Sequence, residues 1–131
     1  DTNVNSFILM TDDADTILRK FKRAVTDSEG TVRASEDKPG VTNLMSIYSV
    51  LTGKDFAAIE KEFEGQGYGV FKEAVAGSVI DAFRPIQEEY ARILADKTYL
   101  DGVLAEGAEK ASRMADRMVS KVYKKVGMLQ L

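Results

Sequence analysis

The sequence of 131 residues contains neither histidine nor cysteine. Without histidine it lacks the commonest general base and the commonest zinc ligand, so no Ser-His-Asp or Cys-His site can be assembled from it. Without cysteine it has no disulfide and no thiolate metal site. Its 21 acidic residues alternate with Lys and Arg along predicted helices, which is typical of a solvated face. We therefore expect no metal site and no catalytic residue in this chain.

Long apolar runs and a strong charge imbalance are also lacking. No apolar stretch approaches the roughly 20 residues that a membrane-spanning helix requires. The first ten residues, "DTNVNSFILM", have neither the basic region nor the cleavage site of a signal peptide. The net charge of −3 gives no overall attraction to nucleic acid or to anionic membranes, so such a contact would need a local basic patch. A membrane partner is not expected.

Apolar residues recur at three- and four-residue steps along most of the chain, and little of it has the alternation of a β-strand. This pattern predicts an all-α bundle of about five helices. The predicted helices begin near Thr11, Pro39, Asp55, Tyr68 and Tyr99. Pro85 lies inside the fourth helix, where its ring clashes with the carbonyl of Asp81, so we predict a kink there.

Two stretches interrupt the helical pattern. In residues 26–40, "TDSEGTVRASEDKPG", the apolar period disappears, which predicts one loop of unusual length, and long loops are often functional. In residues 65–69, "GQGYG", three glycines fall within five residues. A phosphate-binding loop would need a preceding buried strand and a conventional spacing, and neither is present. The glycines therefore predict a corner between two helices.

Five segments, in this order, resemble the C-terminal part of bacterial tryptophanyl-tRNA synthetases. They are "AVTDSEG" (24–30), "KPGVTNLMSIYSVLTG" (38–53), "GYGVFKEAVAGSV" (67–79), "RPIQEEY" (84–90) and "LAEGAEKASRMA" (104–115). The similarity extends from about residue 11 to residue 127. It implies the family's helical domain, which follows a class I Rossmann catalytic domain and recognises the tRNA anticodon.

The resemblance also implies what lies outside this sequence. The family's HIGH-like signature, its tryptophan and ATP pockets and its KMSKS loop all lie upstream of the matched region. Residues 1–10 look like the remnant of the linking segment after KMSKS, and residues 11–131 like the anticodon-binding domain. The chain alone is thus expected to be inactive and to hold no cofactor, whereas ATP and Mg²⁺ belong to the parent. That parent is expected to be a cytoplasmic homodimer.

Recognition of an anticodon loop requires cations for phosphates, aromatic faces for unstacked bases, and amide or carboxylate groups for base edges. The long loop with the start of the second helix (residues 27–43) and the glycine corner (residues 67–72) supply this mixture, and they could share one end of the bundle. Arg33, Lys38 and Lys72 are the candidates for contact with the tRNA backbone.

Three further residues are candidates for contact with anticodon bases: Asp27, Asn43 and Tyr68. Each has a structural alternative. Asn43 fits equally well a structural role at the helix start, where its polar side chain would form a hydrogen bond to the backbone of its own helix. Tyr68 fits a hydrophobic staple at a helix entry, and Asp27 fits the cap of a turn.

Two other functions compete with tRNA recognition. A helical protein-interaction module would present the small residues of 107–115 to a partner helix. RNA binding would weaken steeply with salt, whereas binding through an apolar groove would not. A stand-alone hydrolase with paired carboxylates ranks third, because the sequence shows no carboxylate constellation.

Overall fold

The computed structural model describes residues 3–128 and shows five α-helices, with no β-strand in that range. The helices are α1 (Ala14–Arg23), α2 (Pro39–Thr52), α3 (Phe56–Glu62), α4 (Gly67–Ala95) and α5 (Lys97–Val126). The all-α prediction is confirmed. None of these helices, within the described range, is long and apolar enough to cross a membrane.

Carboxylates decide where three helices begin. The side chain of Asp13 accepts a hydrogen bond from the Thr16 amide at 2.7 Å, so the cap of α1 lies two residues after Thr11, near which the helix was predicted to begin. Asp55 caps α3 in the same way, and Asp96 caps α5, which therefore begins before Tyr99. A carboxylate at the cap satisfies an amide that has no partner within the helix, which favours these positions.

The chain divides into two compact units, the first ending at Glu88 and the second beginning at Glu89. In the first unit, α1, α2, α3 and the first part of α4 surround one hydrophobic core. Its members are Ile17, Phe21, Val32, Val41, Leu44, Met45, Tyr48, Ile59, Phe63, Phe71, Val75, Ala76 and Val79. The rings of Tyr48, Phe63 and Phe71 contact one another edge to face, with centroids 5.0 to 6.3 Å apart. The helices predicted from periodicity thus pack through the predicted apolar faces.

The segment before α1 belongs to the first unit. Ile8 packs against the core, and the Nζ atom of Lys20 lies 5.2 Å from the centre of the Phe7 ring. The amide of Gln87 donates hydrogen bonds to the carbonyls of Met10 and Asp12, at 2.8 and 2.9 Å. These contacts fix residues 7–12 against α1 and α4. Residues 1 and 2 of the predicted linking segment lie outside the described residues, and the functional boundary at residue 10 stays a prediction.

Helix α4 continues through Pro85 without interruption. Pro85 therefore does not end the helix. Proline has no amide hydrogen, so the carbonyl of Asp81 loses its usual helical donor. The kink expected from this loss stays a prediction.

The second unit contains the last turns of α4 and all of α5. Ion pairs run along its helices, joining Arg92 to Glu89, Lys110 to Glu106 and Arg113 to Glu109. No residue of α5 is buried, and most of its larger apolar side chains, such as Met114 at 75%, are exposed. The apolar stripe of this helix is therefore largely uncovered within the described residues.

Candidate nucleic-acid interface

The structure brings the long loop and the glycine corner into contact. Tyr68, in the first turn of α4, donates a hydrogen bond from its hydroxyl to the Asp27 carboxylate at 2.7 Å. Four residues further along α4, the ammonium of Lys72 donates to the carbonyl of Ala24 at 2.7 Å. Two regions about forty residues apart in the chain thus form one surface.

Lys38 lies at the centre of this surface and is buried, with only 1% of its side chain exposed. Its Nζ atom contacts four oxygens that come from the loop and from α4. These are a carboxylate oxygen of Glu29 at 2.7 Å, the Tyr68 hydroxyl at 3.0 Å, Asp27 Oδ1 at 3.2 Å and the Thr31 carbonyl at 3.3 Å. A buried ammonium requires such partners, because removing a charge from water is costly unless it is paired and hydrogen-bonded.

The groups around Lys38 hold one another in their charged forms. The hydrogen bond from Tyr68 is the main reason why the pKa of Asp27 falls to about 2. Burial by itself lowers the pKa of Lys38, but the hydrogen bonds to Glu29, Tyr68 and Asp27 outweigh it and raise that pKa above its ordinary value. The hydrogen bond with Lys38 also lowers the pKa of Glu29. At neutral pH the network is a fixed arrangement of two carboxylates, one ammonium and one phenol.

This geometry does not fit the expectation that Lys38 contacts a tRNA phosphate. Its ammonium points into the protein and all its strong partners are internal. A phosphate could reach it only after the network had opened. Lys38 instead fixes the path of residues 27–38 and delivers the chain to Pro39, the first residue of α2.

Arg33 is the cation of this loop that remains accessible, with 42% of its side chain exposed. Its guanidinium lies 3.5 Å from the Glu29 carboxylate and 3.4 Å from that of Asp37. Beside it, Val32 is buried in the core, and the Ala34 amide donates to a carboxylate oxygen of Glu60 at 2.9 Å. The backbone on both sides of Arg33 is therefore anchored, and Arg33 lines a groove of about 360 Å³.

The exit of α1 is held by two contacts. Lys72 donates to the carbonyl of Ala24, the residue that ends α1, so its half-buried ammonium has a structural role. The second contact is between Gly40, in the first turn of α2, and the carbonyl of Val25. A Cβ atom at position 40 would be only 2.3 Å from that carbonyl oxygen. Only glycine permits this approach without displacing the backbone.

Asn43 is the predicted base-reading residue that is most available. It lies on the exposed side of α2, and its side chain forms no hydrogen bond within the part of the chain that the structure describes. The alternative, in which it satisfies the backbone of its own helix start, is therefore not observed. Asn43 borders an open cavity of about 230 Å³, whose wall also includes Asn5, Phe7 and Lys20.

Several residues of this surface were not predicted from the sequence. Glu29 and the Thr31 carbonyl hold Lys38, and the Thr42 hydroxyl bridges both backbone groups of Ser35 at 3.1 Å. No spacing in the sequence indicates these pairs, because the loop has no periodic structure that would determine which side chains meet. Within residues 3–128, no group of three or more carboxylates is arranged to hold a metal ion.

Curated proteins include relatives of this chain, although no family model matches it. It is 48% identical over 127 residues to the tryptophan–tRNA ligase of Clostridium tetani, covering 97% of this chain and 38% of that protein. It is 47% identical over 129 residues to the ligase of Oceanobacillus iheyensis and 41% identical to that of Bacillus subtilis, covering 98% of this chain and 39% of each.

A solved structure shares the fold. The crystal structure of tryptophanyl-tRNA synthetase from Mycoplasma pneumoniae matches with a TM-score of 0.69 at 24% identity, over 98% of this chain and 40% of that one. This chain therefore spans about two fifths of the length of the relatives that it matches.

Proposed function

Since this chain belongs to the tryptophan–tRNA ligase family, as a relative of the C-terminal portion of those enzymes, we propose that it recognises the anticodon of a tRNA. The observation that carries the proposal is identity of 41 to 48% over 95 to 98% of the chain. That coverage includes both the long loop and the glycine corner.

The internal contacts of the loop support this proposal physically. RNA loops are read by stacking on aromatic rings and by hydrogen bonds to the edges of splayed bases, and both need side chains held in fixed positions. Internal contacts of Lys38, Val32 and Thr42 hold the backbone of residues 27–42. The loop therefore offers a preformed surface and does not have to be ordered at the moment of binding.

The proposed roles follow from exposure. Arg33 is the phosphate contact of the loop, because its guanidinium is accessible and suits phosphate geometry. Asn43 reads a base edge with its free amide. Tyr68, which is half-buried at the corner, stacks on a base with the exposed part of its ring, while its hydroxyl holds Asp27. Asp27 and Lys38 act by positioning the surface, and Lys72 has a mainly structural role.

The remaining features of the parent enzyme are proposals of the same kind. We place this chain in a homodimeric, cytoplasmic enzyme that attaches tryptophan to its tRNA. An upstream Rossmann domain of that enzyme would bind ATP and Mg²⁺ and would carry the chemistry. This chain would supply the part of the tRNA contact that lies at the anticodon.

Binding of two tRNAs tests the proposal. The dissociation constants of the chain would be measured for tryptophan tRNA and for a copy with a replaced anticodon. Asn43→Ala should reduce the ratio of the two constants by about tenfold, which corresponds to one lost base contact. Arg33→Gln should weaken both complexes equally and lower the dependence on salt by about one phosphate contact.

Thr98→Ala, which changes an exposed polar residue of α5, is the control and should match the wild type. Equal affinity of the wild-type chain for both tRNAs would refute anticodon recognition.

A protein-interaction role for residues 107–115 is the second candidate, because that face of α5 is exposed. It would be favoured if a protein partner bound with little dependence on salt while tRNA did not bind.

A further inference from the structure

Helix α5 carries a concentration of positive charge that the anticodon surface does not explain. Residues 110–125 contain six basic side chains and one acidic one in a chain whose net charge is −3. The basic residues are Lys110, Arg113, Arg117, Lys121, Lys124 and Lys125. We call this set the α5 ridge.

The ridge occupies one side of the helix. Because successive residues of an α-helix are rotated by about 100°, the six basic side chains fall within a sector of about 120°. Arg113, Arg117, Lys121 and Lys125 follow one another at four-residue steps, each a rise of about 6 Å along the axis. This spacing is comparable with that between neighbouring phosphates along an RNA strand, so one strand could contact several of these cations in turn.

Most of the ridge is available to a ligand. All six residues are exposed. Lys110 and Arg113 form ion pairs with Glu106 and Glu109 in the preceding turn, but the other four form no ion pair within residues 3–128. Between Lys110, Arg113 and Arg117 lies an open hollow of about 320 Å³, with Met114 in its wall.

We propose that the α5 ridge binds the sugar–phosphate backbone of the same RNA, without regard to its sequence. This inference rests on the proposed function, since it assigns a second contact to the tRNA recognised by the first unit. Arginine suits this task because its planar guanidinium donates two parallel hydrogen bonds to one phosphate.

An RNA backbone fits the ridge better than an anionic membrane does. A helix that lies in a membrane interface carries Trp, Phe or Leu on the face beside its cations. Residues 110–126 contain no Trp, Phe or Leu; their apolar residues are Ala111, Met114, Ala115, Met118, Val119, Val122, Tyr123 and Val126. Such side chains give little insertion into lipid, whereas phosphate binding requires only the cations.

The test compares three variants: one removes charge from the ridge, one removes the same amount of charge elsewhere, and one keeps the charge of the ridge. The ridge variant is Arg113→Gln/Arg117→Gln/Lys121→Gln. The control, Arg84→Gln/Arg92→Gln/Lys97→Gln, removes three positive charges that lie outside the ridge. Arg113→Lys/Arg117→Lys keeps the charge and checks that the helix tolerates substitution, with helix content measured for each protein by circular dichroism.

Binding of labelled tryptophan tRNA and of the anticodon-replaced copy would be followed over a series of salt concentrations. The ridge variant should bind both RNAs about tenfold or more weakly, and its slope of log affinity against log salt should be smaller by about 2. The ratio of affinities for the two tRNAs should stay at the wild-type value. The lysine variant should retain most of the slope, and the control should change much less than the ridge variant.

Each other result overturns a defined part of the proposal. If the wild type discriminates between anticodons but the ridge variant behaves like the control, the ridge inference is wrong and the proposed function stands. If the wild type binds both tRNAs equally and the ridge variant loses that binding, the ridge inference stands and anticodon recognition fails. Absence of tRNA binding refutes both.

Binding to phosphatidylcholine–phosphatidylserine vesicles would be measured with the same variants. If the ridge variant loses vesicle binding and keeps its tRNA binding, the ridge is a membrane surface and the ridge inference is wrong.

Discussion

The hydroxyl of Tyr68 and the carboxylate of Asp27, which are 41 residues apart in the chain, are joined by a hydrogen bond of 2.7 Å. The same hydroxyl accepts a hydrogen bond from the buried ammonium of Lys38 at 3.0 Å. A single phenol therefore connects the first turn of α4 to the long loop and to the residue that precedes α2.

Tyr68→Phe removes this hydroxyl and keeps the ring. We expect a loss of about 1 to 2 kcal/mol of unfolding free energy, because Lys38 loses an acceptor and Asp27 loses a donor while both stay in place. Urea denaturation followed by circular dichroism measures it. Tyr90→Phe, which alters an exposed tyrosine of α4, is the matched control and should change stability by less than about 0.5 kcal/mol.

Lys38→Met should destabilise the protein more than Tyr68→Phe does. It leaves the Asp27 and Glu29 carboxylates close together without the cation between them. If Lys38→Met were as stable as the wild type, the ammonium would not hold the loop, and its role as a phosphate contact would regain support.

Acid should lower the free energy of unfolding in a defined pH range, because Asp27 becomes protonated there. Folding lowers the pKa of this carboxyl from an ordinary value of 3.8 to about 2. The carboxylate therefore contributes stability that is fully present above about pH 4 and is lost as the pH falls through about 2. Glu29, whose pKa is also lowered, acts in the same direction, while Lys38 stays charged throughout.

Comparison of the wild type with Asp27→Asn isolates this contribution from other acidic groups. The variant should be less stable at pH 7, and the difference in urea midpoint should shrink between pH 4 and pH 2. Asp101→Asn, at an exposed position in α5, should follow the wild type at every pH. A difference between wild type and Asp27→Asn that persisted at pH 2 would contradict the assignment.

Gly40→Ala should destabilise the protein by about 1 to 3 kcal/mol, the usual cost of inserting a methyl group where no space exists. The added Cβ would lie 2.3 Å from the Val25 carbonyl oxygen, so α2 or the exit of α1 has to move. Gly77→Ala is the matched control inside α4, where a Cβ meets no atom within 4 Å. That change should be neutral or stabilising by up to about 1 kcal/mol, because alanine favours the helix. Thermal denaturation of both variants decides whether close approach, and not glycine itself, matters at position 40.

Lys72→Ala should lower stability by about 1 kcal/mol, since it removes the hydrogen bond to the carbonyl that ends α1. Lys72→Arg can still donate to that carbonyl and should recover most of the loss in urea denaturation. An equal effect from Lys97→Ala, an exposed lysine at the start of α5, would show that the loss comes from charge alone.

The chain should be inactive in the exchange of pyrophosphate with ATP in the presence of tryptophan. Neither the HIGH-like signature nor the KMSKS loop of the family occurs in this sequence. A full-length tryptophan–tRNA ligase measured in parallel provides the positive control. Exchange by this chain at a comparable rate would show that it contains a catalytic site of its own.

The sequence by itself determined the helices, the corner and the family. Apolar periodicity is a local signal, so the start of α2 was located at Pro39. The helix is capped at Gly53, whose left-handed φ of 73° favours glycine. The five matched segments were sufficient to identify the family because each motif is read directly from adjacent residues. The corner at residues 65–69 followed from the same kind of local information.

Only the tertiary structure decided which polar side chains are free. Lys38 and Arg33 are both basic residues of one loop, yet Lys38 is buried among four oxygens and Arg33 is accessible. Similarly, Tyr68 and Lys72 hold the loop and the end of α1 from positions more than forty residues away. Hydrogen-bond partners depend on how distant segments meet, and an irregular loop has no period that transmits this information along the chain. The apolar stripe of α5 was predicted from periodicity, which is local. Its exposure depends on which segments pack against it, so it was visible only in the folded chain.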